Sequence, residues 1–121
     1  MLGSGGVTVM EEGTDMVWAA LRLMEFFYHE SCGKCSPCRE GSSWLVQIMR
    51  RIVNKRGQMA DLETLTDLCK NIAGRTVCAF GDAEVSPILS TLKHWRHEYV
   101  AMIHAAEAAN LIRPEPAGAK H

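Results

Sequence analysis

Three regularly spaced cysteines are the residues of this chain with the clearest chemistry. Cys32, Cys35 and Cys38 form a C-x2-C-x2-C run, and Cys78 lies far downstream in the stretch Thr76–Asp82. A cubane iron–sulfur cluster takes one protein thiolate for each of its four irons. Three neighbouring thiols and one remote thiol suit this requirement. The sequence therefore predicts a [4Fe-4S] cluster bound by these four side chains.

Two other uses of these thiols stay open at this point. A structural zinc site usually takes its thiolates as two C-x2-C pairs, and Cys69 and Cys78 are too far apart in sequence to form the second pair. Thiol–disulfide exchange is the other alternative, although five cysteines are an odd number for pairing. Cys69 falls on the apolar stripe of a predicted helix, so we interpret it as a small buried core residue.

An all-thiolate cluster carries negative charge, and four residues beside the cysteines are candidates to offset it. Gly33 allows a sharp turn after the helix that precedes the loop, and it lets backbone N–H groups approach the cluster without a clashing Cβ. Pro37 suits the first turn of a helix, whose free N–H groups would point towards the loop. Lys34 and Arg39 add positive charge nearby. These residues are predicted to surround the cluster without binding it.

The sequence offers no group of side chains suited to catalysis. We find no nucleophile–base pair, phosphate-binding loop or pair of catalytic carboxylates. Asp82 and Glu84, which follow Cys78, are interpreted as turn and capping acids. No catalytic residue is predicted, and no activity is expected of this chain alone.

The overall composition is that of an ordinary globular domain. The chain has 121 residues, 47% of them hydrophobic, and a formal net charge of −1, which indicates one domain with a modest core. A local basic run in residues 50–56 lacks interleaved aromatic residues, so nucleic acid is not a predicted partner. No secretory signal or membrane-spanning stretch is visible, and we expect a reducing, cytoplasmic location without direct membrane insertion.

Two helices are predicted around the cysteine run. Thr14 or Asp15 is suited to cap the first helix, which continues through His29 and leads into the cysteine loop. Pro37 is suited to open the second helix, and Gly57 to end it. The first turn of the second helix therefore adjoins the thiols.

Two more helices are predicted around Cys78. Asp61 is a suitable cap for the third helix, which Gly74 ends. Ser86–Pro87 is suited to open the fourth helix, which is predicted to reach Ala109. The loop between these helices carries Cys78 back towards the cysteine run.

The predicted fold class is therefore all-α, a four-helix bundle with the cysteine-rich loop between helices one and two. Residues 14–109 are predicted to form the helical domain, and residues 110–121 a disordered tail. Residues 1–13 are a glycine-rich lead in which Leu2–Met10 is a candidate strand. Because one strand has no partner here, we interpret it as the last strand of a domain that lies outside this chain.

The two cysteine motifs closely resemble one family. Glu30–Gly41 and Thr76–Asp82 resemble the cluster-binding signatures of the NADH-binding flavoprotein subunit of respiratory complex I (NADH-quinone oxidoreductase). They also resemble the related diaphorase subunits of NAD-linked hydrogenases and formate dehydrogenases. The segments Gly13–Val17 and Phe27–Glu30 are similar as well, and the resemblance runs from about Leu2 to about Tyr99.

The resemblance implies a C-terminal four-helix domain with four cluster ligands, Cys32, Cys35, Cys38 and Cys78. It also implies that the cluster takes electrons from FMN reduced by NADH and passes them to a neighbouring iron–sulfur subunit. By the same resemblance, Leu2–Met10 would be the last strand of a ubiquitin-like domain.

The chain departs from the family because it lacks the upstream flavin- and NADH-binding domain. FMN and NADH are therefore expected to act only through a missing domain or a partner subunit. The predicted function is an electron-transfer domain of an NADH dehydrogenase-type complex, peripheral on the inner membrane where that complex is membrane-bound. The alternatives are a structural module fixed by zinc or a cluster and, with less support, an independent NADH dehydrogenase.

Overall fold

The computed structural model describes residues 3–112, with side chains up to residue 109. Five helices make up this part of the chain: α1 (Met16–Glu30), α2 (Ser36–Val53), α3 (Met59–Ile72), α4 (Phe80–His94) and α5 (Arg96–Ile112). The predicted all-α class and the bundle are confirmed. The predicted tail lies outside the described residues from residue 113 onwards, and residues 110–112 continue α5.

The candidate strand is not formed in the part of the chain that the structure describes. Leu2 lies outside the described residues, and residues 3–10 adopt no strand. Val7 and Val9 are exposed. A strand needs a partner for its backbone N–H and C=O groups, and among residues 3–112 no second strand exists. Pairing with a domain outside this chain stays a prediction.

The start of α1 is fixed by two carboxylates. The Asp15 side chain accepts hydrogen bonds from the backbone N–H groups of Val17 (3.0 Å) and Trp18 (3.1 Å), which confirms Asp15 as the cap. Glu98 of α5 accepts the Met16 N–H at 2.9 Å. The three N–H groups would otherwise lack partners within the helix. Glu98 thereby attaches α5 to the beginning of α1.

The connection between α2 and α3 differs from the prediction. Helix α2 ends at Val53, four residues before Gly57, and Lys55 takes the left-handed turn conformation (φ 59°). Gly57 is required for packing, because an added Cβ would lie 2.8 Å from Ile52 Cγ1. Asp61 is not the cap residue of α3 but lies in its first turn, where it accepts the Gln58 backbone N–H at 2.8 Å.

The last predicted helix is two helices, and its predicted start is wrong. Helix α4 begins at Phe80, so Pro87 lies inside it and not in its first turn. The chain then breaks at Trp95 before α5 begins. An internal proline removes one backbone hydrogen bond, but the helix keeps its buried face, which includes Val85 and Ile88. Burial of this face outweighs the local signal of Pro87.

A buried hydrogen bond joins the two helices across the break at Trp95. The Thr91 hydroxyl oxygen lies 2.8 Å from the Tyr99 hydroxyl and 2.6 Å from the Pro87 carbonyl oxygen. Tyr99 is fully buried. Thr91 therefore donates to Pro87 and accepts from Tyr99, so the phenol is satisfied inside the core.

The core lies between the helices and contains apolar side chains from all five. Helix α1 packs on α2 and α4, and α3 packs on α2 and α4. Cys69 is fully buried in this core, as its predicted role requires. Besides Glu84, the fully buried large side chains are Val17, Met24, Leu45, Met49, Ile52, Leu62, Leu65, Ile72, Ile88, Tyr99 and Ile103.

We expect Thr91→Val to destabilise the bundle. The substitution keeps the shape of the side chain but leaves the buried Tyr99 hydroxyl without its acceptor, which costs about 1–3 kcal/mol. Chemical denaturation followed by circular dichroism measures this loss. The neighbouring substitution Ser90→Ala is the control, because Ser90 is exposed and its removal should change stability by less than about 0.5 kcal/mol. Equal stability of the two variants would contradict the buried hydrogen bond.

Candidate iron–sulfur centre

The loop that carries the first two cysteines is held in shape by Gly33 and Arg39. Gly33 has φ 76°, a left-handed conformation that side chains disfavour. The Arg39 guanidinium donates to the Gly33 carbonyl at 2.8 Å, so the first turn of α2 binds the loop backbone. The sharp turn predicted at Gly33 is therefore confirmed. The predicted electrostatic roles of Gly33, Lys34, Pro37 and Arg39 stay predictions.

Ser31 connects the loop to Cys38. Its hydroxyl oxygen accepts the Gly33 backbone N–H at 3.3 Å and lies 3.3 Å from Cys38 Sγ. Cys38 itself is buried in the first turns of α2, which begins at Ser36 with Pro37 as its second residue. The start of α2 therefore adjoins the loop, as predicted.

The segment around Cys78 contacts the cysteine loop across a long sequence separation. The Val77 backbone N–H donates to Cys35 Sγ at 3.4 Å, between residues that are 42 positions apart. The Thr76 hydroxyl donates to the Cys78 carbonyl at 2.8 Å, which shapes this second loop. Asp82 accepts the Gly74 backbone N–H at 2.7 Å, in keeping with its interpretation as a turn acid.

An aromatic pair packs beneath both cysteine segments. Phe27 of α1 and Phe80 of α4 meet edge to face, with ring centroids 5.5 Å apart. Phe27 shortly precedes the cysteine loop, and Phe80 directly follows the Cys78 loop. This apolar contact holds the end of α1 against the start of α4. The two segments that carry the thiols are thereby fixed relative to each other.

The four candidate thiols lie at one end of the bundle and differ in exposure. All are free; Cys32 and Cys78 are exposed, Cys35 is half-buried and Cys38 is buried. In the described part of the chain, no three Cys, His, Asp or Glu side chains converge to hold a single metal ion. A cubane binds each thiolate through a different iron, so its ligands need not share one centre. Four thiols are a donor set that a cubane takes, and the assignment of the four ligands stays a prediction.

Glu84 is the residue at this site that the sequence interpretation missed. It does not lie in a loop but on α4, and it is fully buried. The Cys38 thiol donates to Glu84 Oε2 at 3.5 Å. Burial raises the pKa of the Glu84 carboxyl to about 7 and also raises the pKa of the Cys38 thiol, whose hydrogen bond with Ser31 opposes the effect. Because α4 starts at Phe80, Glu84 lies one helical turn before Ile88 on the buried face. A correct helix start would therefore have predicted from this four-residue spacing that Glu84 is buried.

The buried Cys69 thiol is chemically distinct from the candidate ligands. Burial raises its pKa to about 12, so at neutral pH it is a thiol without nucleophilic character. Its position in the core between α2, α3 and α4 keeps it from the surface where Cys32 and Cys78 lie.

We expect Gly81→Ala to displace the loop that carries Cys78. An added Cβ would clash with Thr76 Oγ1 and lie 2.6 Å from Thr76 Cγ2, and such overpacking typically costs about 1–3 kcal/mol. Chemical denaturation should show a loss of stability, in spite of the helix propensity gained with alanine.

The matched control for this substitution is Gly6→Ala, where the nearest heavy atom to the added Cβ is 3.8 Å away. Its stability should equal that of the unchanged chain. A Gly81→Ala variant more stable than the unchanged chain would show that the loop does not pack on α4 in this way.

Comparisons with known proteins place these features in a family. Residues 18–102 match the model of the NADH-ubiquinone oxidoreductase-F iron-sulfur binding region, whose short name specifies a 4Fe-4S cluster. The F 2 subunit of NADH-quinone oxidoreductase from Rhizobium meliloti is 53% identical over 103 residues, which are 85% of this chain and 24% of that protein. The F subunit of the Streptomyces coelicolor enzyme is 52% identical over 99 residues, 82% of this chain and 22% of that protein. The chain thus spans about a quarter of the length of these relatives.

Solved structures show the same fold. A chain of an NAD+-reducing [NiFe]-hydrogenase in the H2-reduced state superposes with a TM-score of 0.75 and 28% identity, over 78% of this chain and 16% of that chain. A second structure, of an NAD+-reducing [NiFe]-hydrogenase in the air-oxidized state, gives a TM-score of 0.75 and 26% identity, over 85% and 20%.

No helix among the described residues is both long and apolar enough to cross a membrane.

The predicted family and its 4Fe-4S cofactor are confirmed by the match over residues 18–102. The chain belongs to the family of the NADH-ubiquinone oxidoreductase-F iron-sulfur binding region.

Proposed function

We propose that this chain is an electron-relay domain that holds one [4Fe-4S] cluster through Cys32, Cys35, Cys38 and Cys78. The observation that carries the proposal is the hydrogen bond from the Val77 N–H to Cys35 Sγ, 3.4 Å long. It joins the two chain segments that must both supply thiolates. When bound, the cluster supplies a carrier for one electron at a time.

The protein side of the site supports this role by binding and by charge. Four thiolates and their cluster carry negative charge, which backbone N–H groups directed at sulfur stabilise. The Val77 N–H makes such a contact with Cys35, and the N-terminus of α2 adjoins the loop. The guanidinium of Arg39, on α2, binds the backbone of the same loop at Gly33. These groups favour binding of an anionic cluster.

The exposure of the thiols supports a direction for the relay. Cys32 and Cys78 are exposed, and Val77, the neighbour of Cys78, is 84% exposed, whereas Cys38 is buried. Electron partners would therefore approach from the side of Cys32 and Cys78. The relatives are named as parts of NADH-quinone oxidoreductase and NAD+-reducing hydrogenase. This supports the partners that the family resemblance implies: as donor a flavin- and NADH-binding domain or subunit carrying FMN, and as acceptor a neighbouring iron–sulfur subunit. Any attachment to a membrane would come from other subunits of the assembly.

We expect Cys78→Ala to abolish the four-iron cluster or convert it to one with fewer irons. Anaerobic reconstitution of the unchanged chain should give about four irons and four sulfides per chain, and the variant fewer. Cys69→Ala is the matched control: it removes a buried thiol outside the site, so it should keep the full iron content and lose only about 1 kcal/mol of stability.

Equal loss of iron in both variants would overturn the ligand assignment. An unchanged chain that binds one zinc and no iron would favour the structural module instead.

We expect dithionite, and not NADH, to reduce the cluster of the isolated chain. Apart from the cluster site, the sequence contains no segment recognisable as a nucleotide or flavin site. Reduction is followed by bleaching of the visible absorbance and by electron paramagnetic resonance. NADH should become effective when a flavin-carrying partner subunit is added. NADH–ferricyanide reductase activity of the chain alone would contradict the prediction that NADH acts only through a flavin-carrying partner.

A further inference from the structure

Glu84 is an unusual residue for the interior of a small helical domain. Its side chain is fully buried, and its Oε1 atom is a buried side-chain oxygen without a hydrogen-bond partner. Among the described residues, no Lys or Arg forms an ion pair with it. Its other oxygen, Oε2, lies 3.5 Å from Cys38 Sγ. The one polar contact of this buried carboxyl is therefore a sulfur atom of the candidate cluster site.

Stability does not explain a carboxyl group at this position. A buried oxygen without a partner destabilises the folded state, and an apolar side chain of similar size would avoid the loss. Ile88, one turn later on the same face of α4, is apolar and fully buried, so Glu84 is a polar exception on an apolar face. A residue that weakens the fold and contacts a ligand atom is a candidate for a role at the site.

We propose that Glu84 is a positioning residue for the Cys38 sulfur and that, through this contact, it sets the reduction potential of the cluster. The proposal rests on the proposed function, because it takes Cys38 to be a cluster ligand. Helix α4 would then contribute to the site in two ways: it begins two residues after Cys78, and it carries Glu84.

The direction of the effect follows from the chemistry of the contact. As a ligand, Cys38 would carry no proton, so a hydrogen bond between the two side chains would have to be O–H···S, donated by a neutral Glu84 carboxyl group. A carboxylate here would be a second buried anion without a cation beside it, which is unfavourable. Donation to sulfur withdraws charge from the ligand and stabilises the reduced, more negative cluster. With its proton kept, Glu84 would make a stronger hydrogen bond to the sulfur of the reduced cluster than to that of the oxidised one.

Ser31 also contacts the Cys38 sulfur, so this sulfur is held from two sides. Its hydroxyl oxygen is 3.3 Å from Cys38 Sγ, so Cys38 has polar side-chain neighbours from the cysteine loop and from α4. The two contacts fix the direction of the Cys38 side chain in the buried part of the site.

The test compares Glu84→Gln, Glu84→Leu and the control Thr91→Val in the anaerobically reconstituted 121-residue chain. Reduction potentials are measured by redox titration followed by electron paramagnetic resonance. Glu84→Leu removes the donor and should shift the potential to a lower value. Glu84→Gln keeps an N–H donor at the same length and should stay close to the unchanged chain. Thr91→Val disturbs a buried hydrogen bond on the same helix without contacting Cys38, so it should lose stability and keep the potential.

An unchanged or raised potential in Glu84→Leu would overturn the proposal, and so would an equal shift in Thr91→Val. If Glu84→Leu takes up less than a full cluster, Glu84→Ala is titrated in its place and is judged by the same outcomes. If neither apolar variant binds the cluster while Glu84→Gln does, the proposal is tested instead by Raman spectroscopy of the stretching frequency of the Cys38 Fe–S bond. Equal Raman frequencies in Glu84→Gln and in Glu84→Asp, which is too short to reach the sulfur, would refute the contact.

Failure of the proposed function gives a different result. A chain without iron and sulfide in any variant refutes the cluster and this inference together. A fully loaded cluster with the same potential in every variant refutes only the role of Glu84.

Discussion

The central constraint on this fold is the contact between two cysteine-bearing segments that are far apart in sequence. The Val77–Cys35 hydrogen bond joins residues 42 positions apart. Helix α2, with 18 residues, leads about 27 Å away from the site, and α3, with 14 residues, returns about 21 Å. The loop between α3 and α4 covers the remaining distance. The two helices can pack only as antiparallel neighbours, and α1 and α4 then cover the face that they leave apolar.

The parts of the fold that could be predicted were those with local signals. Asp15 caps α1 because a carboxylate satisfies free N–H groups nearby, and Gly33 turns the chain because glycine tolerates a positive φ. The spacing of the cysteines favoured a cluster over zinc, and the residues around the cysteines indicated the family. These features depend on a few neighbouring residues, so the sequence pattern contains nearly all of the relevant physics.

The wrong predictions share another cause, which is that tertiary packing outweighed a local preference. Pro87 suits a first helical turn, yet it lies within α4 because the buried face that includes Val85 extends on both sides of it. The break at Trp95 has no glycine or proline signal and instead allows Tyr99 to reach Thr91. The interpretation of Glu84 was wrong for the same reason. Because α4 was predicted to start at Ser86, Glu84 was placed in a loop, and its burial next to Cys38 was not predicted.

The distance in sequence between Cys38 and Cys78 has a consequence for how the cofactor is acquired. Closing a flexible loop of about 40 residues costs roughly 3 kcal/mol of chain entropy, whereas the seven-residue run from Cys32 to Cys38 is preorganised by one short loop and the start of a helix. In this bundle the apolar contacts of α3 with α2 and α4 close the long loop. For the proposed ligand set, this predicts an order of assembly in which the helices fold before the cluster binds, so that Cys78 already lies near the cysteine loop when iron and sulfide arrive.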